Sequence, residues 1–105
     1  MVMSRIFQIQ EFLKESPNDP FLLHALALEY IKAGNDTDAQ KVFEQNKLNA
    51  PQYVATYYHL GKLLERSGAT ENAIEVYALG MDVAKAQGDQ HAFSELRSVY
   101  EELLY

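Results

Sequence analysis

The sequence has no cysteine and no tryptophan, and it holds only three prolines and five glycines in 105 residues. Without cysteine the chain can form no disulfide, no thiolate metal site and no cysteine nucleophile, which favours a reducing, cytoplasmic setting. It also lacks a long apolar run: no segment approaches the ~18 apolar residues of a membrane span. Arg5, Gln8 and Glu11 interrupt the start, where a signal peptide needs an apolar core. We therefore expect no membrane partner.

Basic residues are scarce as well. The sequence has nine Lys and Arg and fifteen Asp and Glu, which gives a formal net charge of −6. Residues 69–105 hold seven of the acids and two of the bases. Binding of nucleic acid through its phosphates requires a clustered basic face, and none is visible, so we expect no nucleic-acid partner. With 48% hydrophobic and 23% charged residues the composition is that of a folded domain, and the length predicts one domain over residues 1–105.

Glycines and prolines divide the chain into six segments with apolar residues every three or four positions, the spacing of one face of an α-helix. No segment alternates apolar and polar residues with the period of a strand, so the sequence predicts an all-α fold. Connections of about 3–5 residues make successive helices antiparallel neighbours. The apolar faces include Phe12 in the first segment and Leu48 in the third. The breaks fall at residues 17–19, 34–35, 49–51, 68–69 and 88–89.

Capping residues predict where several helices begin. Asp19 stands before Pro20, an N-cap followed by proline at the first helical position, where the missing N–H costs nothing. Asp36 or Thr37 is expected to cap the third helix, and Thr70 the fifth, because short oxygen-bearing side chains accept hydrogen bonds from the first turn.

One pattern recurs at a lag of 34 residues. Between residues 20–53 and 54–87, several positions repeat as identities, and an aromatic residue repeats in character. The period and the order of small and large residues resemble the tetratricopeptide repeat, a helix-turn-helix unit of 34 residues. Counted in that unit, the chain holds a half repeat at residues 4–17, repeat one at 20–53, repeat two at 54–87 and a C-terminal capping helix at 90–104. The identities include Leu26 with Leu60, Gly34 with Gly68, Ala39 with Ala73 and Val42 with Val76; Phe43 corresponds to Tyr77.

Small residues have a physical role in such a repeat. Ala27 or Gly61 on the first helix, and Ala39 or Ala73 on the second, let two backbones approach closely. One hairpin cannot bury its apolar face alone, so hairpins stack. The resemblance implies a right-handed superhelical stack of antiparallel helix pairs: two full repeats with flanking single helices. Gly80 departs from the pattern; since a glycine inside a helix costs about 1 kcal/mol, it indicates tight packing or a bend.

In function, the resemblance implies an adaptor or scaffold that binds a peptide or helix of a partner protein in a concave groove. An apolar floor beside basic side chains would suit a peptide with an apolar residue and a carboxylate. Taken singly, the same residues also fit a structural role, packed against the first helix or solvated. The groove positions are Phe21, His24, Leu28 and Ile31 in repeat one and Tyr58, Lys62 and Arg66 in repeat two; helix six would add His91, Ser94 and Ser98.

Self-association and catalysis are the two alternatives to an adaptor. The terminal helices each lack one partner, so the module could form a weak homo-oligomer through them. An enzyme would need converging polar groups, and the sequence offers no phosphate-binding loop and no nucleophile with a supporting motif. The three histidines stand at unrelated repeat positions. We therefore expect no metal, no cofactor and no catalysis.

Overall fold

The computed structural model describes residues 4–105, and this range contains six α-helices and no strand. Residues 1–3 of the predicted domain lie outside it. The all-α prediction and the order of the helices are confirmed. None of the helices in the described range has the length and apolar character needed to cross a membrane. The helices are α1 (Arg5–Leu13), α2 (Pro20–Lys32), α3 (Asp36–Asn49), α4 (Ala55–Arg66), α5 (Thr70–Gln87) and α6 (Gln90–Leu104).

The chain divides into two compact units, one ending at Ala50 and the other beginning at Pro51. In the first unit, α1 and α3 both pack against α2. In the second unit, α5 packs against both α4 and α6, and α4 also contacts α6. The boundaries of the repeats, at residues 20–53 and 54–87, stay predictions, because contacts alone do not define a repeat register.

Two helices begin where the sequence predicts. The Asp19 carboxylate accepts hydrogen bonds from the backbone N–H groups of Phe21 and Leu22, at 2.9 and 3.2 Å. Asp89 caps α6 in the same way, through a 3.0 Å bond from the N–H of Ala92. Each carboxylate satisfies donors that have no partner inside the helix, and its charge suits the positive end of the helix dipole.

Two other predicted caps are wrong. Asn35 caps α3, its side chain accepting a 3.1 Å hydrogen bond from a backbone N–H of the first turn, whereas Asp36 and Thr37 lie inside that turn. Ala69 precedes α5 without any side-chain cap bond, and Thr70 is already the first helical residue. The reason is the same in both turns. The preceding glycine is left-handed (φ +78° and +85°), and one further residue suffices to start the next helix.

The core of each unit is built on an aromatic residue of a second helix and small residues around it. In the first unit, Phe43 is fully buried together with Ala27 and Ala39. In the second unit, Tyr77 is fully buried, and a Cβ built on Gly61 would overlap its ring. The close approach predicted from the small residues is therefore confirmed.

Gly80 is a site of tight packing. A Cβ at this position would lie 2.5 Å from Cβ of Tyr57 and 3.0 Å from Cδ1 of Leu96, closer than carbon atoms can sit. The helix α5 continues through the position without a break, from Thr70 to Gln87. Of the two readings of this glycine, close packing is the correct one.

Two apolar residues predicted to face the core are exposed. Phe12 is 66% exposed and Leu48 is 81% exposed. In the described range α1 packs against α2, and the stripe that α2 covers follows Ile9 and Leu13 and leaves Phe12 at its edge. On α3, Leu48 lies two residues beyond the buried Asn46, about 200° around the helix and thus on the opposite side.

Candidate functional site

An open groove of about 500 Å³ lies between α4 and α6 in the second unit. Because α5 packs against both helices, it holds them at a fixed spacing. The groove combines an aromatic ring, an aliphatic side chain and charges of both signs. Tyr58 and Lys62 line it from α4, and Glu95, Val99 and Glu102 line it from α6 with His91, Ser94 and Ser98.

Helical spacing explains which side chains meet in the groove. Tyr58 and Lys62 are four residues apart and lie on one face of α4. Arg66, the last residue of α4, is exposed and is not part of the groove lining. The predicted residues of α6 do line it. Three further residues line the groove without having been predicted there, although they follow three- and four-residue spacing from His91: Glu95, Val99 and Glu102.

Lys62 is held by a carboxylate on its own helix. Its Nζ lies 3.6 Å from Oε2 of Glu65, and that same oxygen accepts a hydrogen bond from the Tyr77 hydroxyl. Burial raises the pKa of Tyr77, and the hydrogen bond to Glu65 and the charge of that carboxylate act in the same direction. The phenol therefore stays protonated and donates. The Lys62 cation is tied through Glu65 to the core of the unit.

Glu95 interacts with two histidines. Burial lowers the pKa of His59, while the Glu95 carboxylate on the neighbouring helix acts in the opposite direction. On α6 itself, Nε2 of His91 lies 3.6 Å from Oε1 of Glu95, an ion pair only when that imidazole is protonated. The ring of His59 also meets the ring of Tyr58 edge-on, at 5.4 Å between centroids. The pKa of His59 on α4 therefore depends both on its burial and on the charge of Glu95 on α6.

The neighbouring face of α4, about 100° around the helix from Tyr58, anchors the start of the unit. Tyr57 is buried, and its hydroxyl donates a 2.6 Å hydrogen bond to the backbone carbonyl of Pro51. Burial raises the pKa of Tyr57, so this donor is also retained. Tyr57 is therefore a core residue of the second unit. Tyr53 and Tyr58 are half-buried.

The predicted site residues of the first unit follow one line along α2. Phe21, at its first turn, is 68% exposed, and Leu28 and Ile31 are half-buried. The ring of His24 packs against Phe43, with centroids 5.7 Å apart and the planes at 56°. The role of these four residues in binding stays a prediction.

Within residues 4–105, no three His, Asp or Glu side chains come together in a way that could hold a metal ion. The interpretation of the chain as a protein without catalytic activity stays a prediction. The groove offers aromatic, aliphatic and charged contacts to a ligand lying along it, a combination that is typical of binding sites.

Solved structures resemble this chain over most of its length. A tetratricopeptide repeat domain protein from Salinibacter ruber, determined by solution NMR, is 45% identical in sequence and superposes with a TM-score of 0.80. The match covers 83% of this chain and 88% of that one. The chain belongs to the tetratricopeptide repeat family. A crystal structure of the Salinibacter ruber domain agrees, with 45% identity, a TM-score of 0.78, and 81% and 94% of the two chains covered.

More distant tetratricopeptide structures share the fold. The Sgt2 TPR domain from Aspergillus fumigatus is 20% identical, with a TM-score of 0.78 over 94% of this chain and 65% of that one. At that identity the likeness concerns the fold alone. No protein-family model matches the sequence, and a comparison with curated proteins gives no match. Membership of the tetratricopeptide repeat family rests on the Salinibacter ruber structures.

Proposed function

We propose that this tetratricopeptide repeat protein is an adaptor or scaffold that binds a segment of another protein in the α4–α6 groove. The groove itself carries the proposal. It is a concave surface of about 500 Å³ on a three-helix unit, with a tyrosine and an aliphatic side chain among polar groups. Tyrosine is enriched in protein interfaces, and grooves between helices accept extended peptides or helices.

The polar groups of the second unit support binding rather than chemistry. Glu65 is engaged by Lys62 and by the Tyr77 hydroxyl, so it fixes the shape and charge of the surface. Tyr58 is half-buried against this framework and presents a ring that a partner side chain can cover. Rigid aromatic anchors of this kind contribute much of the binding free energy in protein interfaces.

The predicted residues of α2 belong to the same proposal as a second, separate surface. Phe21 is exposed at the start of the helix, and Leu28 and Ile31 follow it at helical spacing. His24 lies on the same helix, and Arg66, the last residue of α4, belongs to the proposal as a separate contact of the second unit. Replacing Phe21 with Ala removes the most exposed apolar side chain of α2, and partner capture by that variant tests this surface by itself.

The experiment that tests the α4–α6 groove is capture of partners from an extract of the source organism, with wild type, Tyr58→Ala and Tyr105→Ala in parallel. Tyr105 is 96% exposed and lies outside the groove, so it is a matched control. We expect a protein that wild type and Tyr105→Ala retain and that Tyr58→Ala loses. A partner held equally by all three would place the binding surface elsewhere.

Self-association through the terminal helices is the second candidate. Phe7 and Phe12 on α1 are 45% and 66% exposed, and Leu104 at the end of α6 is 45% exposed. Burying such side chains against another copy would be favourable, although the net charge of −6 opposes it. Sedimentation equilibrium over a hundredfold range of concentration decides: a monomer throughout removes this candidate. The cytoplasmic location and the absence of cofactors and of nucleic-acid partners stay predictions.

A further inference from the structure

We propose that the segment recognised by the α4–α6 groove is basic: an extended stretch of polypeptide whose lysine or arginine side chains are received by Glu95 and Glu102. The aliphatic stems of those lysine or arginine side chains would lie on Tyr58. This inference rests on the proposed function and names the chemistry of its ligand. It reverses the charge expected from the basic residues of the sequence.

The positive charge of Lys62 in the groove is already balanced by a carboxylate of the protein. Lys62 lies 3.6 Å from the Glu65 carboxylate, and the Tyr77 hydroxyl, which donates to that carboxylate, holds it in place. A ligand carboxylate that approached Lys62 would meet the charge of Glu65 at nearly the same distance. The net attraction for an acidic ligand is therefore small.

The acidic side chains of α6 are less compensated. Within residues 4–105, Glu102 has no basic side chain within ion-pairing distance, and Glu95 interacts with His91 and His59, which carry a charge only when protonated. Glu95 and Glu102 are seven residues apart, two helical turns or about 10 Å, and both line the groove. Arg97 pairs with Glu101 at 2.8 Å and does not line it. At neutral pH the α6 side of the groove is negative.

The second unit as a whole also has a net negative charge. Residues 51–105 contain eight Asp and Glu and four Lys and Arg. An excess of negative charge around a groove attracts a basic segment during encounter, and complementary charges then fix its register. Charge complementarity thus favours a basic segment over an acidic one.

The apolar lining fits the stems of basic side chains. Tyr58 is a half-buried ring in the same groove as the two carboxylates, and Val99, which is buried, adds only a small exposed edge. Lysine and arginine cover apolar surface with their methylene stems, and a guanidinium also stacks on a tyrosine ring. In an extended chain, side chains at i and i+2 lie on one side about 7 Å apart, and flexible stems extend that reach to two carboxylates.

The test uses three peptides of nine residues with blocked termini and one leucine-containing host sequence. Positions i and i+2 are both arginine, both norleucine or both glutamate. Each peptide is titrated into the full-length ¹⁵N-labelled protein, and amide shifts in α4 and α6 report binding. We expect the arginine peptide to bind the groove about tenfold more tightly than the norleucine peptide, the sum of two exposed ion pairs, and the glutamate peptide to bind more weakly still.

Variants of the groove separate the two charge assignments. Glu95→Gln and Glu102→Gln should each weaken the arginine peptide about threefold, and their effect should shrink at high salt. Lys62→Gln should leave its affinity unchanged or raise it, since a like charge is removed. Glu75→Gln is the matched control, because Glu75 is exposed on α5 and lies outside the groove. The affinity of this variant for the arginine peptide should match that of wild type within twofold.

The outcomes that overturn this inference differ from those that overturn the proposed function. Tighter binding of the glutamate peptide, lost in Lys62→Gln, would reverse the ligand charge and still leave a peptide-binding groove. Equal binding of the norleucine and arginine peptides would show recognition of apolar groups alone. An arginine peptide that shifts no groove amide at millimolar concentration also counts against a basic ligand. The capture experiment with Tyr58→Ala decides the groove itself independently.

Discussion

The hydroxyl of Tyr77, buried on α5, donates its hydrogen bond to the carboxylate of Glu65 on α4. Glu65 also pairs with Lys62, which lines the α4–α6 groove. Gly61 makes room for the Tyr77 ring one turn before Glu65. One core side chain thus serves the packing of α4 on α5 and the position of a charged group at the surface.

Replacing Tyr77 with Phe should lower the free energy of unfolding by about 2 kcal/mol. The substitution keeps the ring in the core and removes a hydrogen bond to a charged acceptor. Urea unfolding at pH 7 measures it. Tyr30→Phe is the matched control, because the Tyr30 hydroxyl accepts a 3.3 Å bond from Gln10 at an exposed site, and its loss should cost about 0.5 kcal/mol or less. Equal losses in both variants would contradict the role of Tyr77.

Stability should fall as the pH drops below about 6.5, and His59 should contribute to that fall. Burial lowers the pKa of His59 in the folded protein below its usual 6.5, so the unfolded chain binds the proton more readily. The stabilisation is present above pH 6.5 and is lost as the pH falls toward the folded pKa. Urea unfolding from pH 7.5 to 5.5 should show a shallower dependence for His59→Gln than for wild type.

Two variants check the origin of that dependence. Glu95→Gln should steepen it, because the carboxylate that favours protonated His59 is gone. His91→Gln should change it little, since the His91 side chain is 87% exposed. If His59→Gln and wild type lose stability in parallel, the burial of His59 does not control this pH range.

Gly80→Ala should destabilise the protein by about 1–3 kcal/mol, despite the higher helix propensity of alanine. The new methyl group would overlap Tyr57 and press on Leu96, and a well-packed core resists such additions. Thermal or urea unfolding measures the change. Ala86→Gly, at an exposed position in the last turn of the same helix, shows the propensity term alone, at most about 1 kcal/mol. A Gly80→Ala variant more stable than wild type would rule out the close contact.

Asn35→Ala should cost about 1 kcal/mol of stability, because the Asn35 side chain accepts the hydrogen bond that begins α3. Thr37→Ala should cost less than half of that, since Thr37 is exposed inside the first turn. Comparing the two by urea unfolding distinguishes the observed cap from the one predicted from sequence. A larger loss for Thr37→Ala would move the cap back to that residue.

The predictions that are wrong all concern features that depend on the surroundings of a segment and not on its own residue pattern. The sequence predicts that helices begin near Asn35 and Thr70. Which residue is the cap depends on how many residues separate the left-handed glycine from the first turn of the next helix. Phe12 and Leu48 have the apolar character of core residues, yet the neighbouring helices do not cover them. The helical period predicts on which face of a helix a side chain lies. Whether that side chain is buried depends on whether another helix packs against that face.

The sequence by itself determined the six helices, the 34-residue repeat and the small residues that let helices approach, because these follow from backbone preferences and from spacing along one chain. Only the tertiary structure decided the character of the groove. The pairing of Lys62 with Glu65, the hydrogen bond from Tyr77 and the place of Glu95 and Glu102 beside Tyr58 join side chains from three helices. Which charges compensate one another depends on distances between helices, and those distances are set by packing.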